Sequence, residues 1–570
     1  MSRPDPVNVA THLSALAAGD PDRAAVVLPR LRSGKVETAQ LTFAELDRVS
    51  GQLARGLDRV GIRRGVRTVL MVPPSLDFFA LTFALFKVGA VPVLIDPGMG
   101  IRNLGKCLRE AEPEAFIGIP KAHVARRVLR WARKTIRTTV TTGRRIFGGK
   151  YTVNQLRRVG ELLGPLPVAD TRAEETAAVL FTSGSTGVAK GVVYTHGIFA
   201  AQVESLKAVY GIRPGEVDLS TFPLFALFGP ALGMTAVIPE MDPTRPARVD
   251  PTRIIDAVER FAVTNLFGSP ALLNRVGRYG VEHGSKLPTL KRVISCGAPV
   301  PAIVIERFAA MLSPGVQVFT PYGATESLPV ANIGSETILK ETRFLTDQGK
   351  GVCVGHPVPG MDVRIIPISD EPIPGFDEAT TLPAGEIGEI VVSGPVVTAE
   401  YFGRPEATRL AKMRDAAGRL WHRMGDVGYF DDRGRLWYCG RKAHRVDTPD
   451  GTLFPDQVEP VFNTVPGVYR TALVGVRRRG ITYPVICVEL EDAAGRADRP
   501  WAEIDRDLRA AGQRFEDTRR IEVFLEYPRG FPVDVRHNSK IFREKLRDWV
   551  DGEMSWVPIP PHPRPAEVAR

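Results

Sequence analysis

The sequence predicts an α/β fold with a large N-terminal domain and a small, mobile α+β domain at the C-terminal end. Helix and strand patterns alternate in the first part of the chain, and short strands separated by turns follow from about Val352. A compact mixture of helix and strand patterns then follows Gly440. A chain of 570 residues is long enough for such a division. We therefore expect domains over residues 1–439 and 440–555, and a disordered tail over 556–570.

The N-terminal domain is predicted to contain mostly parallel sheets with flanking helices, together with a β-rich subdomain. Apolar residues at helical spacing predict the helices, and runs rich in β-branched residues predict the strands between them. Such alternation is typical of parallel sheets that are covered by helices. The segments that carry these patterns are, in chain order, 41–62 (helix), 67–73 (strand), 75–90 (helix), 91–96 (strand), 204–212 (helix), 252–268 (helix, then strand), and 290–299, 362–367, 385–395 and 435–440 (strands).

Composition argues against several classes of protein. Five scattered cysteines without a Cys-x-x-Cys pair argue against a disulfide framework or a zinc site, and favour a reducing compartment. The N-terminus lacks the apolar segment of a secretory signal. The most apolar stretch, 78–95, is interrupted by Lys87 and predicts a buried helix and strand rather than a membrane span. We therefore expect a cytoplasmic protein.

The formal net charge of +11 is concentrated in one segment, residues 121–150, which carries ten Lys and Arg residues and no acidic residue. Since no recognised nucleic-acid motif accompanies it, we expect no nucleic-acid partner. In its helical part Val124, Val128 and Trp131 are spaced to share one face. One interpretation is a surface helix that contacts an anionic membrane or a partner protein. The other is a solvated basic helix and a disordered loop; in both cases we expect the segment to be dispensable for the chemistry of the protein.

The most informative stretch is LFTSGSTGVAKGVVYTH, residues 180–196. Runs rich in β-branched residues on either side predict two strands, and glycines alternate with hydroxyl residues between them. Backbone N–H groups, hydroxyls and one ammonium group in such a loop suit a polyphosphate. The loop is not a Walker loop, because Lys190 is followed by Gly191 and a strand pattern. Its candidate binding residues are Thr182, Ser183, Gly184, Ser185, Thr186, Gly187 and Lys190.

Further motifs follow in order along the chain. SCGAPV (295–300) follows a strand pattern, and its glycine lets a ligand approach the backbone. YGATES (322–327) offers an aromatic ring for a purine, a hydroxyl, and a carboxylate suited to Mg²⁺. Asp426 can accept hydrogen bonds from two ribose hydroxyls, and Arg441 can approach the same hydroxyls. Lys540 lies in a predicted loop before a helix pattern.

Taken together, these motifs resemble those of the adenylate-forming superfamily of acyl-CoA synthetases, luciferases and peptide-synthetase adenylation domains. The resemblance implies activation of a carboxylic acid as its adenylate, with ATP and Mg²⁺ as cofactors. Attack of a carboxylate on the α-phosphorus brings two anions together, so positive charge must stabilise the transition state. The implied roles are β- and γ-phosphate binding by 182–190, adenine binding by Gly297, Ala298, Pro299, Tyr322 and Gly323, ribose binding by Asp426 and Arg441, phosphate and Mg²⁺ contacts by Thr325 and Glu326, and a bridge from Lys540 to the substrate carboxylate and the α-phosphate.

The segment after the GRK motif departs from the pattern of CoA ligases. Pro449 and Asp450 stand where a pair of glycines is expected, and Asp447 stands where a basic residue is common. In PLFALFGP, Ala226 replaces a histidine or an aromatic residue. A tunnel for an extended thiol needs close approach of the backbone, which glycine permits and proline obstructs. We therefore expect the thiol route to be impaired.

HRMGDVGYFD, CGRKAHRVDTPDG and FPVDVRHNSKI together resemble one branch of the superfamily, the olefin β-lactone synthetases. That resemblance implies a long-chain 2-alkyl-3-hydroxy acid, whose hydroxyl closes onto the adenylated carboxyl to form a β-lactone in olefin hydrocarbon biosynthesis. It also implies a complex with other enzymes of that pathway. His196, His444 and His537 are candidates for the base that removes the hydroxyl proton, or for structural roles.

Two alternative functions stay open at this point. The nearer alternative is a long-chain fatty acyl-CoA or acyl-carrier ligase with an unusual segment after the GRK motif. The more distant alternative is a non-catalytic adenylate-binding or nucleic-acid-associated protein, which the basic segment suggests.

Overall fold

The computed structural model describes residues 6–32, 35–145, 148–182, 189–377, 380–491, 499–533 and 540–553. These residues divide into two compact units. The first unit contains the described residues up to Arg343 and from Cys353 to Tyr438. The second contains Phe344–Val352 and the described residues from Cys439 onward. The predicted tail, 556–570, lies outside the described residues.

The strands are numbered in chain order: β1 (Ala24–Arg32), β2 (Lys35–Thr42), β3 (Arg67–Met71), β4 (Val91–Ile95), β5 (Ala115–Gly118), β6 (Thr138–Thr141), β7 (Tyr151–Thr152), β8 (Thr176–Thr182), β9 (Lys190–Thr195), β10 (Val217–Ser220), β11 (Thr235–Val237), β12 (Asn265–Phe267), β13 (Arg292–Ile294), β14 (Gln317–Phe319), β15 (Tyr322–Ala324), β16 (Ser327–Asn332), β17 (Val352–Pro357), β18 (Asp362–Ile366), β19 (Gly375–Phe376), β20 (Gly388–Ser393), β21 (Lys412–Asp415), β22 (Leu420–Phe430), β23 (Leu436–Arg441), β24 (Val446–Thr448), β25 (Gly451–Leu453), β26 (Val468–Arg478), β27 (Ile481–Leu490) and β28 (Val523–Glu526).

The helices are likewise numbered in chain order: α1 (Ala10–Gly19), α2 (Phe43–Arg59), α3 (Leu76–Val88), α4 (Ile101–Ala111), α5 (Pro120–Val128), α6 (Val153–Leu163), α7 (His196–Tyr210), α8 (Pro223–Ala226), α9 (Phe228–Ala231), α10 (Pro251–Arg260), α11 (Pro270–Glu282), α12 (Ala302–Ala309), α13 (Ser335–Thr337), α14 (Arg343–Thr346), α15 (Pro405–Ala411), α16 (Pro455–Phe462), α17 (Trp501–Gly512) and α18 (Arg543–Glu553).

Two sheets of the first unit are largely parallel, as the alternating pattern predicts. One has the strand order β7-β6-β5-β3-β4-β8-β9, and the other has the order β14-β13-β12-β10-β11-β1-β2. The pairs β8–β9 and β1–β2 at the sheet edges are antiparallel. In parallel sheets of this kind, ligands bind beyond the carboxyl ends of the strands. Strands β10, β12, β13 and β14 are parallel neighbours, so the segments that follow them leave the same edge of the sheet.

The predicted β-rich subdomain is a third sheet with the order β15-β16-β17-β23-β22-β20-β18, to which β19 and β21 are attached. Its pairs β15–β16, β18–β20 and β20–β22 are antiparallel. An almost fully buried ion pair joins Arg423 of β22 to Glu389 of β20 at 2.6 Å. This sheet carries Tyr322 at the start of β15 and Asp426 in β22, so it positions two of the candidate site residues.

The second unit has the α+β character that the sequence predicts. A sheet of order β26-β27-β28 packs on α16 and α17, and Phe462, Leu508 and Phe524 contribute to the core between them. The short segment Phe344–Val352 also belongs to this unit, where the Gln457 side-chain amide donates to the Gly349 carbonyl at 3.4 Å. Sequence order alone places Phe344–Val352 within the N-terminal domain. Its place in the second unit depends on contacts such as this one, which joins residues 108 positions apart in the chain.

Local sequence explains the buried helices of the first unit. Thr42 and Glu45 form a reciprocal capping box at the start of α2, as the Thr-x-x-Glu pattern favours. Helix α3 is capped at its N-terminus by Ser75, whose hydroxyl accepts from the Phe78 N–H, and is followed by Gly89 in the left-handed conformation. Lys87 is 3% exposed and donates to the backbone and carboxylate of Asp47 at 2.6 and 2.7 Å. The lysine that interrupts the apolar stretch is therefore paired inside the core.

The basic segment 121–150 differs from its prediction. Helix α5 ends at Val128, and Arg130 and Ala132 take positive φ angles of 51° and 43°, which turn the chain. Trp131 is buried beside Gly105 of α4, whereas Val124 and Val128 are 41% and 73% exposed. The three residues therefore do not share one face. Residues 138–141 form β6 and pair with β5, so deletion of the segment would remove a strand, and the expectation that it is dispensable is corrected.

Among the described residues, none of the helices combines the length and the apolar character that crossing a membrane requires.

Candidate active site

The predicted phosphate loop connects two paired strands. Thr182 is the last residue of β8 and pairs with Lys190, the first residue of β9, at the edge of the parallel sheet. The predicted residues Ser183, Gly184, Ser185, Thr186 and Gly187 lie outside the described residues. The Lys190 ammonium lies 4.7 Å from the centre of the Tyr401 ring. The β8–β9 pair therefore fixes where the loop begins and ends, and a cation–π contact positions its lysine.

Glu326 is held by side chains and backbone from a distant segment. The Tyr401 hydroxyl donates to Glu326 Oε1 at 2.6 Å, and Tyr401 itself is 6% exposed. The Thr398 N–H and hydroxyl donate to the Glu326 carbonyl at 2.9 and 3.1 Å. Strand β9 holds this segment in turn, because the Phe402 N–H donates to the Gly191 carbonyl at 2.7 Å. The carboxylate and the end of the phosphate loop are thus built into one framework.

The neighbouring Thr325 is fixed by a buried tyrosine. Tyr194 of β9 donates through its hydroxyl to the Thr325 carbonyl at 2.5 Å. Burial raises the pKa of Tyr194 above its ordinary value, so its hydroxyl stays protonated and remains a donor. Thr325 is therefore attached directly to β9, the strand that follows the predicted phosphate loop, and Glu326 is attached to it through the 398–402 segment.

A buried lysine lies close to Glu326. Lys412, at the start of β21, donates to the carbonyl of Thr398 and lies 3.3 Å from its hydroxyl. Burial lowers the pKa of Lys412 to about 7, although the negative charge of Glu326 partly opposes the shift. When it is protonated, this ammonium group stabilises the Thr398 segment and the negative charge of Glu326.

Tyr322 and Asp426 meet across the β-rich sheet. The Tyr322 hydroxyl donates to Asp426 Oδ2 at 2.6 Å, and Asp426 is 3% exposed. At Gly323 an added Cβ would lie 2.6 Å from the Ser327 carbonyl oxygen, so this position requires glycine for the close approach of β15 and β16. The aromatic and carboxylate groups that the sequence assigns to one nucleotide are therefore in direct contact.

Gly297, Ala298 and Pro299 leave the same sheet edge as Tyr322. They follow β13, and the Ser295 N–H donates to the Phe319 carbonyl of β14 at 2.9 Å. Gly297 has a φ of 99°, which favours glycine. Because β13 and β14 are parallel neighbours, the two segments emerge side by side.

Two of the predicted residues belong to the second unit. Arg441 is the last residue of β23, and Lys540 is exposed immediately before Ile541 and α18. His444 also lies in this unit, where burial, Arg543 and Arg441 lower its pKa to about 3. His196, in the first unit, is fully buried, and burial lowers its pKa to about 4. His537 lies outside the described residues.

The segment after the GRK motif forms a tight hairpin. Pro449 and Asp450 make the turn between β24 and β25, and the Thr448 hydroxyl donates to the Gly451 carbonyl at 2.7 Å. Arg520 donates to the Asp450 carbonyl at 2.7 Å, and Asp447 accepts from the Thr452 hydroxyl at 2.8 Å. The positions where CoA ligases are expected to carry glycines are therefore occupied by a tight turn that hydrogen bonds hold in place.

A largely apolar pocket opens in the first unit between the parallel sheet and helices α7 to α9. Its lining includes Pro321, directly before Tyr322, and the ends of β10, β12 and β13. Ala226, at the end of α8, is fully buried beside the lining residue Phe225. Concave sites lined mostly by apolar side chains with a few polar groups are typical of small-molecule binding.

None of the five cysteines, all of which lie within the described ranges, forms a disulfide bond. Four of them are buried, and burial raises the pKa of the thiols of Cys107 and Cys353 to about 11. Cys296 is half-buried and lines the apolar pocket.

Sequence reasoning missed several residues around the site. Tyr194, Thr398, Tyr401 and Lys412 carry no spacing signal, because their partners lie far away in the chain; Tyr401 and Glu326 are 75 residues apart. Asp218 and Asn265, which line the pocket, do carry a signal. Each is a polar residue inside a short apolar strand, where polar side chains are uncommon.

The family model for the AMP-binding enzyme matches residues 13–402. The chain belongs to the AMP-binding enzyme family. Within this family, it is 52% identical over 557 residues to the olefin beta-lactone synthetase of Stenotrophomonas maltophilia (strain K279a), with coverage of 96% of this chain and 99% of the relative. It is also 52% identical over 549 residues to the olefin beta-lactone synthetase of Xanthomonas campestris pv. campestris, with coverage of 95% and 97%. A feruloyl-CoA synthase of an Amycolatopsis species is 29% identical, with coverage of 80% and 84%.

Solved structures confirm the predicted fold. An amide bond synthetase from Marinactinospora thermotolerans matches with a TM-score of 0.76 at 23% identity, covering 95% of this chain and 99% of that chain. An anthranilate CoA ligase in complex with anthranoyl-AMP matches with a TM-score of 0.77 at 19% identity, covering 97% and 99%.

Proposed function

We propose that this chain is an olefin β-lactone synthetase that adenylates a long-chain 2-alkyl-3-hydroxy acid and cyclises it. The observation that carries the proposal is the 52% identity to two olefin beta-lactone synthetases over nearly the full length of each chain. In the first step a carboxylate oxygen bonds to the α-phosphorus of ATP and pyrophosphate leaves. In the second step the substrate hydroxyl bonds to the acyl carbon, loses its proton, and AMP leaves with the electron pair of the acyl–phosphate bond.

The first step needs positive charge around the phosphates, and the site can supply it. The loop between Thr182 and Lys190 is proposed to bind the β- and γ-phosphates, and Lys190 supplies positive charge at its end. Glu326 is the proposed Mg²⁺ ligand; the bound ion would neutralise phosphate charge. The described residues contain no group of three or more metal-binding side chains. This fits Mg²⁺, which commonly binds through one or two carboxylates, water and substrate phosphates.

The nucleoside is proposed to bind between Tyr322, the 297–299 segment and Asp426. A carboxylate held by the Tyr322 hydroxyl is oriented to accept from ribose hydroxyls. Arg441 and Lys540 of the second unit are proposed to reach the ribose and the reacting carboxylate, respectively. Loss of the charge of Lys540 should slow adenylation by at least about 10²-fold.

The second step needs no separate nucleophile. The hydroxyl is covalently held near the activated carbonyl, and intramolecular positioning removes much of the entropic cost of a second encounter. The closed hairpin turn at Pro449 and Asp450 supports this route, because it does not provide the glycine backbone that a thiol tunnel requires.

The deciding experiment is mass spectrometry of the products formed from ATP, Mg²⁺ and a long-chain 2-alkyl-3-hydroxy acid, with and without CoA. We expect AMP and a β-lactone in both cases. The matching acid without the hydroxyl should stall as bound acyl-adenylate. Lys540→Ala should bind an ATP analogue and fail in pyrophosphate exchange. Rapid conversion of the plain fatty acid to its CoA thioester would replace the proposal by the acyl-CoA ligase alternative.

The partners of the protein form a second part of the proposal. The exposed basic residues of 121–150 support contact with an anionic membrane surface, where a long-chain acid would be concentrated. The motif resemblance is the basis on which we propose a complex with other enzymes of olefin synthesis. Five cysteines that form no disulfide among the described residues fit the proposed cytoplasmic location.

A further inference from the structure

The apolar pocket contains a small polar group that neither adenylation nor the binding of an alkyl chain requires. Most of its lining is apolar and includes Leu206, Ile212, Phe228, Leu232, Met234 and Ile294. Within this lining lie Asp218, Ser220 and Asn265, which are 3%, 2% and 3% exposed. An alkyl chain gains nothing from such groups, and burying polar atoms is costly unless they are hydrogen-bonded.

Asp218 and Asn265 form an oriented pair. They lie opposite each other on the parallel strands β10 and β12, and the Asn265 side-chain N–H donates to Asp218 Oδ1. Burial raises the pKa of Asp218 to about 6, against the opposing effects of Asn265, Ser220 and Arg292. An ionised carboxylate can only accept hydrogen bonds. The amide nitrogen of Asn265 faces this carboxylate, which directs the amide oxygen elsewhere.

The amide oxygen of Asn265 is left without a donor. Within the described ranges, no hydrogen-bond donor lies in reach of this buried oxygen. A buried acceptor in a ligand pocket indicates a ligand that brings a donor of its own. The acid of the proposed function carries one donor besides its carboxyl group, namely its 3-hydroxyl.

We propose that Asn265, oriented by Asp218, binds the hydroxyl of the acid in the acyl pocket and makes the enzyme selective for hydroxylated acids at the adenylation step. This inference rests on the proposed function, which supplies a hydroxylated substrate. An acid without the hydroxyl would bury the Asn265 oxygen unpaired. Sites built to hydrogen-bond a hydroxyl reject the analogue that lacks it far more strongly than sites that distinguish alkyl groups.

The test measures pyrophosphate exchange, which reports adenylation alone, for the 2-alkyl-3-hydroxy acid and its 3-deoxy analogue. In the wild-type enzyme we expect kcat/KM to favour the hydroxy acid by about tenfold or more. In Asn265→Leu the preference should fall to within about twofold, through a higher KM for the hydroxy acid. Asn265→Ser keeps an acceptor and should restore part of the preference; it also provides the comparison if Asn265→Leu does not fold.

Met234→Leu is the matched control, because it changes the pocket lining without changing its polar atoms, and it should keep the wild-type preference. Equal use of both acids by the wild-type enzyme, or an unchanged preference in both Asn265 variants, would overturn the inference and indicate that water satisfies this oxygen. Lactone formation is measured separately. If no lactone forms while the hydroxyl preference holds, the proposed function fails and the inference stands. If lactone forms but the Asn265 variants keep the preference, the inference alone fails.

Discussion

At the scale of single residues, the position of Glu326 depends on one tyrosine. Tyr401 donates to the Glu326 carboxylate and also lies under the Lys190 ammonium, so it connects the proposed metal ligand to the end of the phosphate loop. Without the hydroxyl, the carboxylate loses a charge-assisted hydrogen bond that fixes its rotamer.

Tyr401→Phe should therefore slow adenylation while leaving the fold intact. A hydrogen bond to a charged group contributes about 1.5–3 kcal/mol, which corresponds to a fall of roughly 10- to 100-fold in pyrophosphate exchange. The Mg²⁺ concentration at half-maximal rate should rise as well, which a purely structural role would not produce. Tyr469→Phe, at a 38% exposed position of the second unit, is the control and should behave like the wild type. An unchanged rate and Mg²⁺ dependence would remove Tyr401 from this role.

The raised pKa of Asp218 predicts that the stability of the folded protein depends on pH. Its pKa in the folded protein is about 6, above its ordinary value of 3.8, so the folded state binds the proton more tightly than the unfolded state. Stability from this group is present at low pH and is lost as the pH rises through about 6. Asp218→Asn should therefore raise the melting temperature at pH 8, by an effect of up to about 2–3 kcal/mol. At pH 5, which lies between the pKa values of the unfolded and folded states, the effect should be roughly half as large.

The control for this prediction is Asp256→Asn, at an exposed position of α10, which should change stability equally little at both pH values. A stabilisation by Asp218→Asn that is the same at pH 5 and pH 8 would show that the carboxylate charge is not its cause.

The residues of the candidate site were predictable only where a motif marks them. Tyr322 and Asp426 lie in recognisable motifs, and the structure brings them together at 2.6 Å. Tyr401 lies in no such motif, and its effect on Glu326 arises from the pairing of 400–402 with β9. Contacts of that kind depend on tertiary structure, which local residue patterns do not report.

At the scale of elements, helices α2 and α6 pack unusually close together. An added Cβ at Gly56 would lie 2.3 Å from the Leu156 carbonyl oxygen, and one at Gly160 would lie 2.1 Å from the Gln52 carbonyl oxygen. Both contacts are to backbone, which cannot rotate away. The two glycines therefore set the distance between the helices and support the core that contains Leu53 and Leu156.

Gly160→Ala should push the helices apart and destabilise the first unit by roughly 1–3 kcal/mol or more. Gly19→Ala, at the end of α1 where nothing lies within 4 Å of the added Cβ, is the control and should be neutral or slightly stabilising. Thermal melting followed by circular dichroism compares the two. Equal melting temperatures for both variants would show that the helices separate without cost.

Helices α2 and α3 agree with their predicted segments because a strong apolar pattern, a cap residue and a terminal glycine all indicate the same bounds. The prediction for 121–150 failed because its helical pattern continues past Val128, while the burial of Trp131 beside α4 requires the chain to turn at Arg130. The sequence contains no glycine or proline at that turn. Tertiary packing therefore ended a helix that local propensity would have extended.

At the scale of the whole molecule, positive charge and exposed apolar side chains occur on neighbouring elements. Val128 of α5 is 73% exposed and Ile101 of α4 is 65% exposed. Trp131 packs against Gly105, which brings the chain after α5 onto α4. Exposed Lys121, Arg133 and Lys134 belong to the same segment. Apolar side chains among basic residues are typical of surfaces that bind anionic lipid interfaces.

The protein should therefore sediment with vesicles that contain anionic phospholipid, and much less with neutral vesicles. Binding should weaken in high salt, because exposed charges are screened. Arg133→Glu combined with Lys134→Glu should reduce binding, while adenylation of a short, soluble acid stays unchanged. Arg275→Glu combined with Arg278→Glu on α11 is the control with equal charge change. Equal binding to neutral and anionic vesicles would contradict an electrostatic contact.

The distribution of the thiols should allow selective chemical labelling of the apolar pocket. Four cysteines are buried and resist deprotonation where their pKa is raised, whereas half-buried Cys296 lines the apolar pocket. A maleimide with a medium alkyl tail should thus modify the native enzyme at this one position, and peptide mapping would locate the adduct. Preincubation with the long-chain hydroxy acid should slow the labelling. Cys296 would then act as a built-in reporter of pocket occupancy, so that substrate affinity can be read from a rate of alkylation without any turnover.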